Sequence, residues 1–127
     1  MSRSGPTPQT RLLVLSRALW ACERCWQPIT ESMSLHHRRP RRMGGTKRLD
    51  TNQPQNLLVL CGSGTTGCHG WIESHRKTGY ADGILLYDRD DPADMPYRDA
   101  NGNWWLLGPE GQRTRMNPQP TTSTGVG

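Results

Sequence analysis

The chain has 127 residues and a formal net charge of +5; only 32 % of it is hydrophobic, with fourteen Gly, ten Pro and no Phe. So thin an apolar complement excludes a domain built around a large oily core and favours a small one stapled by metal or disulfide. No apolar run approaches the length of a membrane span, and the opening MSRSGPTPQT lacks the apolar stretch of a secretory leader, so a cytoplasmic protein without membrane contact is expected.

The charge is unevenly divided. Residues 1–81 hold twelve Lys/Arg against four Asp/Glu, whereas residues 82–127 hold four against seven. An anionic partner is therefore expected at the first portion of the chain.

In chain order, residues 1–9 read as a flexible lead containing Gly5, Pro6 and Pro8. Thr10 predicts a cap for a helix over 11–21, with Leu12, Leu15, Ala18 and Leu19 inward and Arg11 and Arg17 towards solvent. Cys22-Glu23-Arg24-Cys25 reads as a knuckle-type turn, and Met33 to His37 as a short strand with Leu35 inward. Arg38, Arg39, Arg41, Arg42, Lys47 and Arg48 make the next segment a basic loop, interrupted by Pro40 and by Gly44-Gly45. The apolar run Leu57 to Leu60 is too short for a helix between Pro54 and Gly62, so a buried strand is predicted. After a glycine-rich turn, a helix is predicted over 69–78, with Gly79 as its stop. GILLY (83–87) and NWWLL (103–107) read as strands, the second returning through the turn 108–111 and residues 112–116 as a hairpin. Residues 117–127, rich in Pro, Thr, Ser and Gly, are expected to be disordered. The pattern is that of an α+β protein: a core over 10–80, an accessory hairpin region over 81–116, and a tail.

Two groups of side chains carry chemistry. Cys22, Cys25, Cys61 and Cys68 form two pairs, which in a reducing compartment fit one tetrahedral four-thiolate zinc site. The second pair has six intervening residues, GSGTTG, whose glycines permit the longer loop. The other group is His36, His37, Asn56, His69 and Glu73. Neighbours on a strand point to opposite faces, so His36 and His37 are free to do different jobs. His69 and Glu73 lie four apart on the predicted helix, hence on one face, as two ligands to one ion require; His75, six from His69, is the weaker ligand candidate. Arg76 falls near the ligand face, within reach of a phosphate.

The ordered set C-E-R-C, L-H-H, the G-G after the basic loop, N-L-L-V-L-C and C-G-S-G-T-T-G-C-H-G-W-I-E-S-H resembles the HNH endonucleases of the ββα-metal (His-Me finger) type, and among them the small HNH proteins of tailed phages of actinobacteria. The resemblance covers roughly residues 10–80. It implies a ββα-metal nuclease core with a zinc staple, an N-terminal helix and a short C-terminal β extension. It further implies that His37 is the general base, that His36 and His69 are ligands of a catalytic divalent ion, and that Asn56 holds the loop bearing His37. Many relatives carry His where this chain has Glu73; an oxygen ligand there leans towards Mg²⁺ or Mn²⁺, with Ni²⁺ a further candidate. Arg38, Arg39, Arg41 and Arg42 would hold backbone phosphates of double-stranded DNA. The implied activity is phosphodiester hydrolysis, by nicking, during phage genome packaging beside the large terminase subunit in the host cytoplasm. The alternative is a zinc-ribbon DNA-binding or adaptor module without catalysis, which has no use for His37 or Asn56.

Overall fold

The computed structural model describes residues 5–29, 32–40 and 50–116. Helix α1 (Pro8–Arg17) starts earlier than the sequence suggests. Thr7, not Thr10, is its cap: the Thr7 hydroxyl accepts from the Thr10 N–H at 3.1 Å, and Pro8 occupies the first turn, where a missing N–H costs nothing. The helix stops at Arg17 because Leu19 and Trp20 both take the left-handed conformation, φ 57°, and turn the chain back towards the cysteine knuckle.

The buried face also differs from the expected one. Val14, Leu15 and Ala18 face the core, whereas Leu12 and Leu19, predicted inward, are exposed. Arg17, predicted at the surface, is buried. Its guanidinium forms a two-pronged pair with Glu23 (Nε–Oε2 2.8 Å, Nη2–Oε1 2.6 Å) and donates to the carbonyls of Pro54 and Leu57. Glu23 in turn accepts from the Val59 N–H at 2.9 Å. One ion pair thereby ties α1, the knuckle and the following strand together, and removing either partner would leave a buried charge unpaired at a cost of about 3–5 kcal/mol.

Strands β1 (Met33–His37) and β2 (Leu57–Cys61) pair antiparallel, with His36 opposite Leu58 and His37 opposite Leu57. A single 3-10 turn, Pro54–Asn56, leads into β2. Alternation along β2 explains its unbroken apolar run. Leu58 and Leu60 face one cluster with Cys22, Cys68, Ile72, Ile84, Leu85, Tyr97 and Leu107; Leu57 and Val59 face another with Val14, Leu15 and Ala18. The two-stranded sheet is covered on both sides, so every residue of Leu57–Leu60 must be apolar.

The helix predicted over 69–78 is two helices, α2 (Gly67–Ser74) and α3 (Arg76–Ala81). The break lies at His75, φ −130° and ψ 56°. The Ser74 hydroxyl donates to the carbonyls of Gly70 and Trp71, and the His75 ring lies 2.8 Å from the Trp71 oxygen, so side chains take acceptors that a continuing helix would have used. Gly79 is not a stop. A methyl group there would sit 2.7 Å from the Leu85 side chain, and its carbonyl accepts from the N–H groups of Ile84 and Leu85 at 3.0 Å. Close approach, not helix termination, requires glycine.

The segment 83–87 forms no strand, although Ile84, Leu85 and Leu86 are buried. Its polar backbone is satisfied individually, by Gly79, Arg38 and His36, instead of by a ladder. Farther on, β4 (Trp104–Leu107) and β5 (Arg113–Met116) form the predicted hairpin, and a short unpredicted β3 (Tyr97–Arg98) completes a three-stranded antiparallel sheet in the order β3-β4-β5. Tyr97 and Leu107 enter the same core as Cys22 and Ile72, so residues from both portions of the chain share one interior. The described residues thus form a small α+β structure with two antiparallel sheets. Among the described residues, no helix is long and apolar enough to cross a membrane. The expectation for 117–127 lies outside the described residues, as do positions 1–4 of the lead.

Candidate metal centres and active site

The four cysteine sulfurs lie within 4.8 Å of one another. Cys25 Sγ and Cys61 Sγ are 3.9 Å apart; a zinc ion with bonds of about 2.3 Å sets sulfurs at tetrahedral corners about 3.8 Å apart. The knuckle supplies further support. Backbone N–H groups of Arg24 and Cys25 point at Cys22 Sγ at 3.4 Å, the Cys68 N–H points at Cys61 Sγ at 3.3 Å, and Arg24 Nη1 reaches Cys68 Sγ at 3.4 Å. Such donors stabilise thiolates over thiols. The contact between Cys22 and Cys68 holds the Cys22 thiol below the usual range and pushes Cys68 up. Sequence separation is no obstacle for the second pair, because Gly62 and Gly67 both take positive φ (88° and 63°) and let the loop fold flat, where a Cβ on Gly62 would strike the Thr66 carbonyl. The four-cysteine cluster is compatible with a zinc site.

Strand alternation sends His36 to the α2 side of the sheet, where it meets His69 edge-on, ring centroids 5.3 Å apart. One ligand atom each from His36, His69 and Glu73 lies within 4.8 Å of the others, and Glu73 Oε2 is 3.7 Å from His69 Nε2. His36 is almost wholly buried, and desolvation, ahead of any neighbouring charge, pulls it down to about 3, so the ring is neutral at physiological pH. Its Nε2 lies 2.9 Å from the Ile84 carbonyl. A carbonyl only accepts, so Nε2 carries the hydrogen and the lone pair is on Nδ1. That second contact is how ligand imidazoles are commonly oriented. His69 Nδ1 is buried and has no hydrogen-bond partner among the described residues. Two nitrogens and one carboxylate, with the His36 lone pair on Nδ1, make a group that could hold a metal ion. His75, the weaker ligand candidate, does not join this set; it stacks on Trp71 at 3.9 Å.

His37 lies on the other face of β1, where Asn52 Oδ1 is 2.7 Å from its Nε2. An amide oxygen accepts, which places the ring hydrogen on Nε2 and the neutral ring's lone pair on Nδ1. Asn56 acts one step back. It is fully buried; its Oδ1 accepts from the Arg39 N–H at 2.8 Å, and its Nδ2 donates to the carbonyls of Arg39 and Thr51. It therefore clamps the chain just after His37 onto the 50–52 loop, while Asn52 from that loop meets the ring. Sequence reasoning assigned the loop bearing His37 to Asn56 and missed Asn52, an unremarkable residue in a polar turn.

The arginines need correction. Arg38, expected to hold phosphate, is completely buried. Its guanidinium donates to the carbonyls of Gly83 (3.0 Å), Gln55 (2.9 Å), Pro92 (3.3 Å) and Met95 (2.5 Å). Burial pulls it down to about 9, so it stays cationic at neutral pH. Arg39 is 4 % exposed, paired with Asp50 and donating to the Asp90 carbonyl, and is likewise no surface contact. In a short chain with little apolar bulk, these side chains serve as crosslinks between β1 and the C-terminal segment. Arg41 and Arg42 lie outside the described residues. Arg76 is at the surface, 46 % exposed, 2.8 Å from Glu73.

No family model, curated protein or solved structure matches the chain.

Proposed function

We propose that the protein is a zinc-stapled, metal-dependent endonuclease that nicks double-stranded DNA, built on a ββα-metal core formed by β1, β2 and α2. The observation that carries this reading is the division of labour between adjacent histidines: His36 joins His69 and Glu73 within 4.8 Å, while His37 is held separately by Asn52. A binding module has no need of either arrangement.

In this reading His36, His69 and Glu73 hold a divalent ion, Mg²⁺ or Mn²⁺ by the oxygen in the set, which when bound supplies positive charge to the scissile phosphate and the leaving oxygen. His37 Nδ1 accepts the proton of the attacking water, contributing roughly 10²–10⁴-fold. Asn52 keeps the ring in the tautomer that can accept it, and Asn56 keeps the two loops in register. Cys22, Cys25, Cys61 and Cys68 hold zinc, which replaces core that the composition does not supply.

The test is nicking of supercoiled plasmid by wild type and His37→Ala at matched zinc content, with Mg²⁺, Mn²⁺ and Ni²⁺ each supplied. Wild type should convert plasmid to open circle and the variant should not, while still binding DNA. Binding by both without cutting by either would favour the zinc-ribbon module. From the resemblance we also place the activity in phage genome processing beside a large terminase subunit; absence of any association between the two purified proteins would count against that setting.

A further inference from the structure

Arg38 and Arg39 are withdrawn into the interior, and Arg41 and Arg42 lie outside the described residues, so further phosphate contacts of the proposed nuclease are sought on the described surface. A line of side chains starts at the metal-ligand cluster. Arg76 lies 2.8 Å from Glu73 and sets its guanidinium over the Tyr80 ring at 5.8 Å, one turn on along α3. Tyr80 stacks on Tyr87, centroids 4.3 Å apart and planes 17° from parallel. Arg89 covers the other face of Tyr87 at 4.6 Å. Tyr87 is 46 % exposed, and the Arg89 residue is exposed as well.

Tyr80 is half-buried against the main hydrophobic cluster, but core packing does not explain the exposed Tyr87 stacked on it or the arginine over each ring. Its physical consequence is order: stacking on aromatic faces fixes two long cationic side chains that would otherwise be mobile, and a guanidinium lying on a ring keeps its N–H edge available for hydrogen bonds. The surroundings of Arg89 sharpen the point. It shares its turn with Asp88, Asp90 and Asp91, and two of these carboxylates are turned to backbone N–H groups, Asp90 to Tyr87 and Asp91 to Ala93. Arg89 is the one cation in that run.

We infer that Arg76, Tyr80, Tyr87 and Arg89 form a rigid track for the DNA sugar–phosphate backbone, leading away from the His36/His69/Glu73 cluster and extending the substrate surface into the acidic portion of the chain. The inference rests on the endonuclease reading for its ligand. It assigns phosphate contact to Arg76 and Arg89 and a bracing role to the two tyrosines. Contact is with phosphate, so it is indifferent to base sequence.

The test uses the full-length, zinc-loaded chain carrying His37→Ala, so that nothing is cut, and a fluorescein-labelled duplex titrated by anisotropy across a KCl series. Thermal melting confirms that each further variant is folded like its parent. Arg89→Ala should weaken binding to unrelated duplexes alike and shrink the salt slope by about one; adding Arg76→Ala should shrink it by about one more. Arg89→Lys should keep the slope but not the full affinity, because an ammonium keeps the charge without the planar stack. Tyr87→Leu should weaken binding with its arginines intact, and Tyr87→Phe should not. Parental affinity and slope in Arg89→Ala and in Tyr87→Leu would overturn the track while leaving the endonuclease reading standing. A parent that binds no duplex DNA would overturn both.

Discussion

Asn52 Oδ1 stands 2.7 Å from Nε2 of His37, while the Asn56 amide is engaged with the backbone of Arg39 and Thr51. An amide at that place fixes the tautomer without adding charge. On the proposed role of His37 as base, worth roughly 10²–10⁴-fold, Asn52→Ala should lose a large part of that factor with little change in DNA affinity. Asn52→Asp should behave differently: a carboxylate beside the ring favours the charged imidazole, so the acid limb of the rate–pH profile should move to higher pH. Nicking rates measured across pH check both. Parallel profiles for wild type and Asn52→Asp would remove Asn52 from the mechanism.

Arg38 donates to four backbone carbonyls from a fully buried site. Arg38→Met should destabilise the fold by about 3 kcal/mol or more, since it strips charge-assisted hydrogen bonds and leaves acceptors unpaired. Urea unfolding should show it. The salt slope of DNA binding, measured where the variant is folded, should not change. A normal unfolding midpoint with a reduced slope would restore the phosphate-binding role that the sequence suggested.

Tyr97 is buried, and its hydroxyl donates to the Glu23 carbonyl at 2.8 Å. Desolvation, reinforced by Glu23, holds its pKa well above 10. The folded state thus keeps a proton that the unfolded chain releases, so this contribution to stability is complete below pH 10 and is lost as pH rises above it, at up to about 1.4 kcal/mol per pH unit. Tyr97→Phe should cost about 1 kcal/mol at neutral pH and flatten the loss between pH 10 and 11. Equal alkaline slopes in the two proteins would mean that other groups govern it.

The cysteine geometry predicts one tightly held zinc per chain. Cobalt substitution should give the visible bands of a tetrahedral thiolate site, and Cys25→Ser or Cys61→Ser should lose them. Stripping the metal with a strong chelator should unfold the domain cooperatively, because Cys22 and Cys68 belong to the main hydrophobic cluster. Retention of native circular dichroism after complete zinc removal would show that the staple is dispensable.

Local signals in the sequence were read correctly where one period or one turn decides the outcome. Both paired strands of the first sheet and the Trp104–Met116 hairpin are where alternation and turn residues placed them. The pairing of Cys22 with Cys25 and of His69 with Glu73 was also legible, because spacing on a knuckle and on a helix face is a local property; that His36 and not His37 joins His69 and Glu73 was only implied by the resemblance. The tertiary structure decided what depends on which groups approach from elsewhere. Arg17, Arg38 and Arg39 read as surface cations, since burial of a guanidinium costs too much without partners. The partners are a glutamate, an aspartate and backbone carbonyls from positions 54–57 and 83–95, and carbonyls have no identity in a sequence. The same holds for the hydrogen of His36, fixed by the oxygen of Ile84, and for the Asn52 contact that orients His37. The sequence by itself determined which side chains have the chemistry. Only the folded chain determined which of them are spent holding it together, because hydrogen bonds between distant backbone and side chains are set by packing and not by spacing.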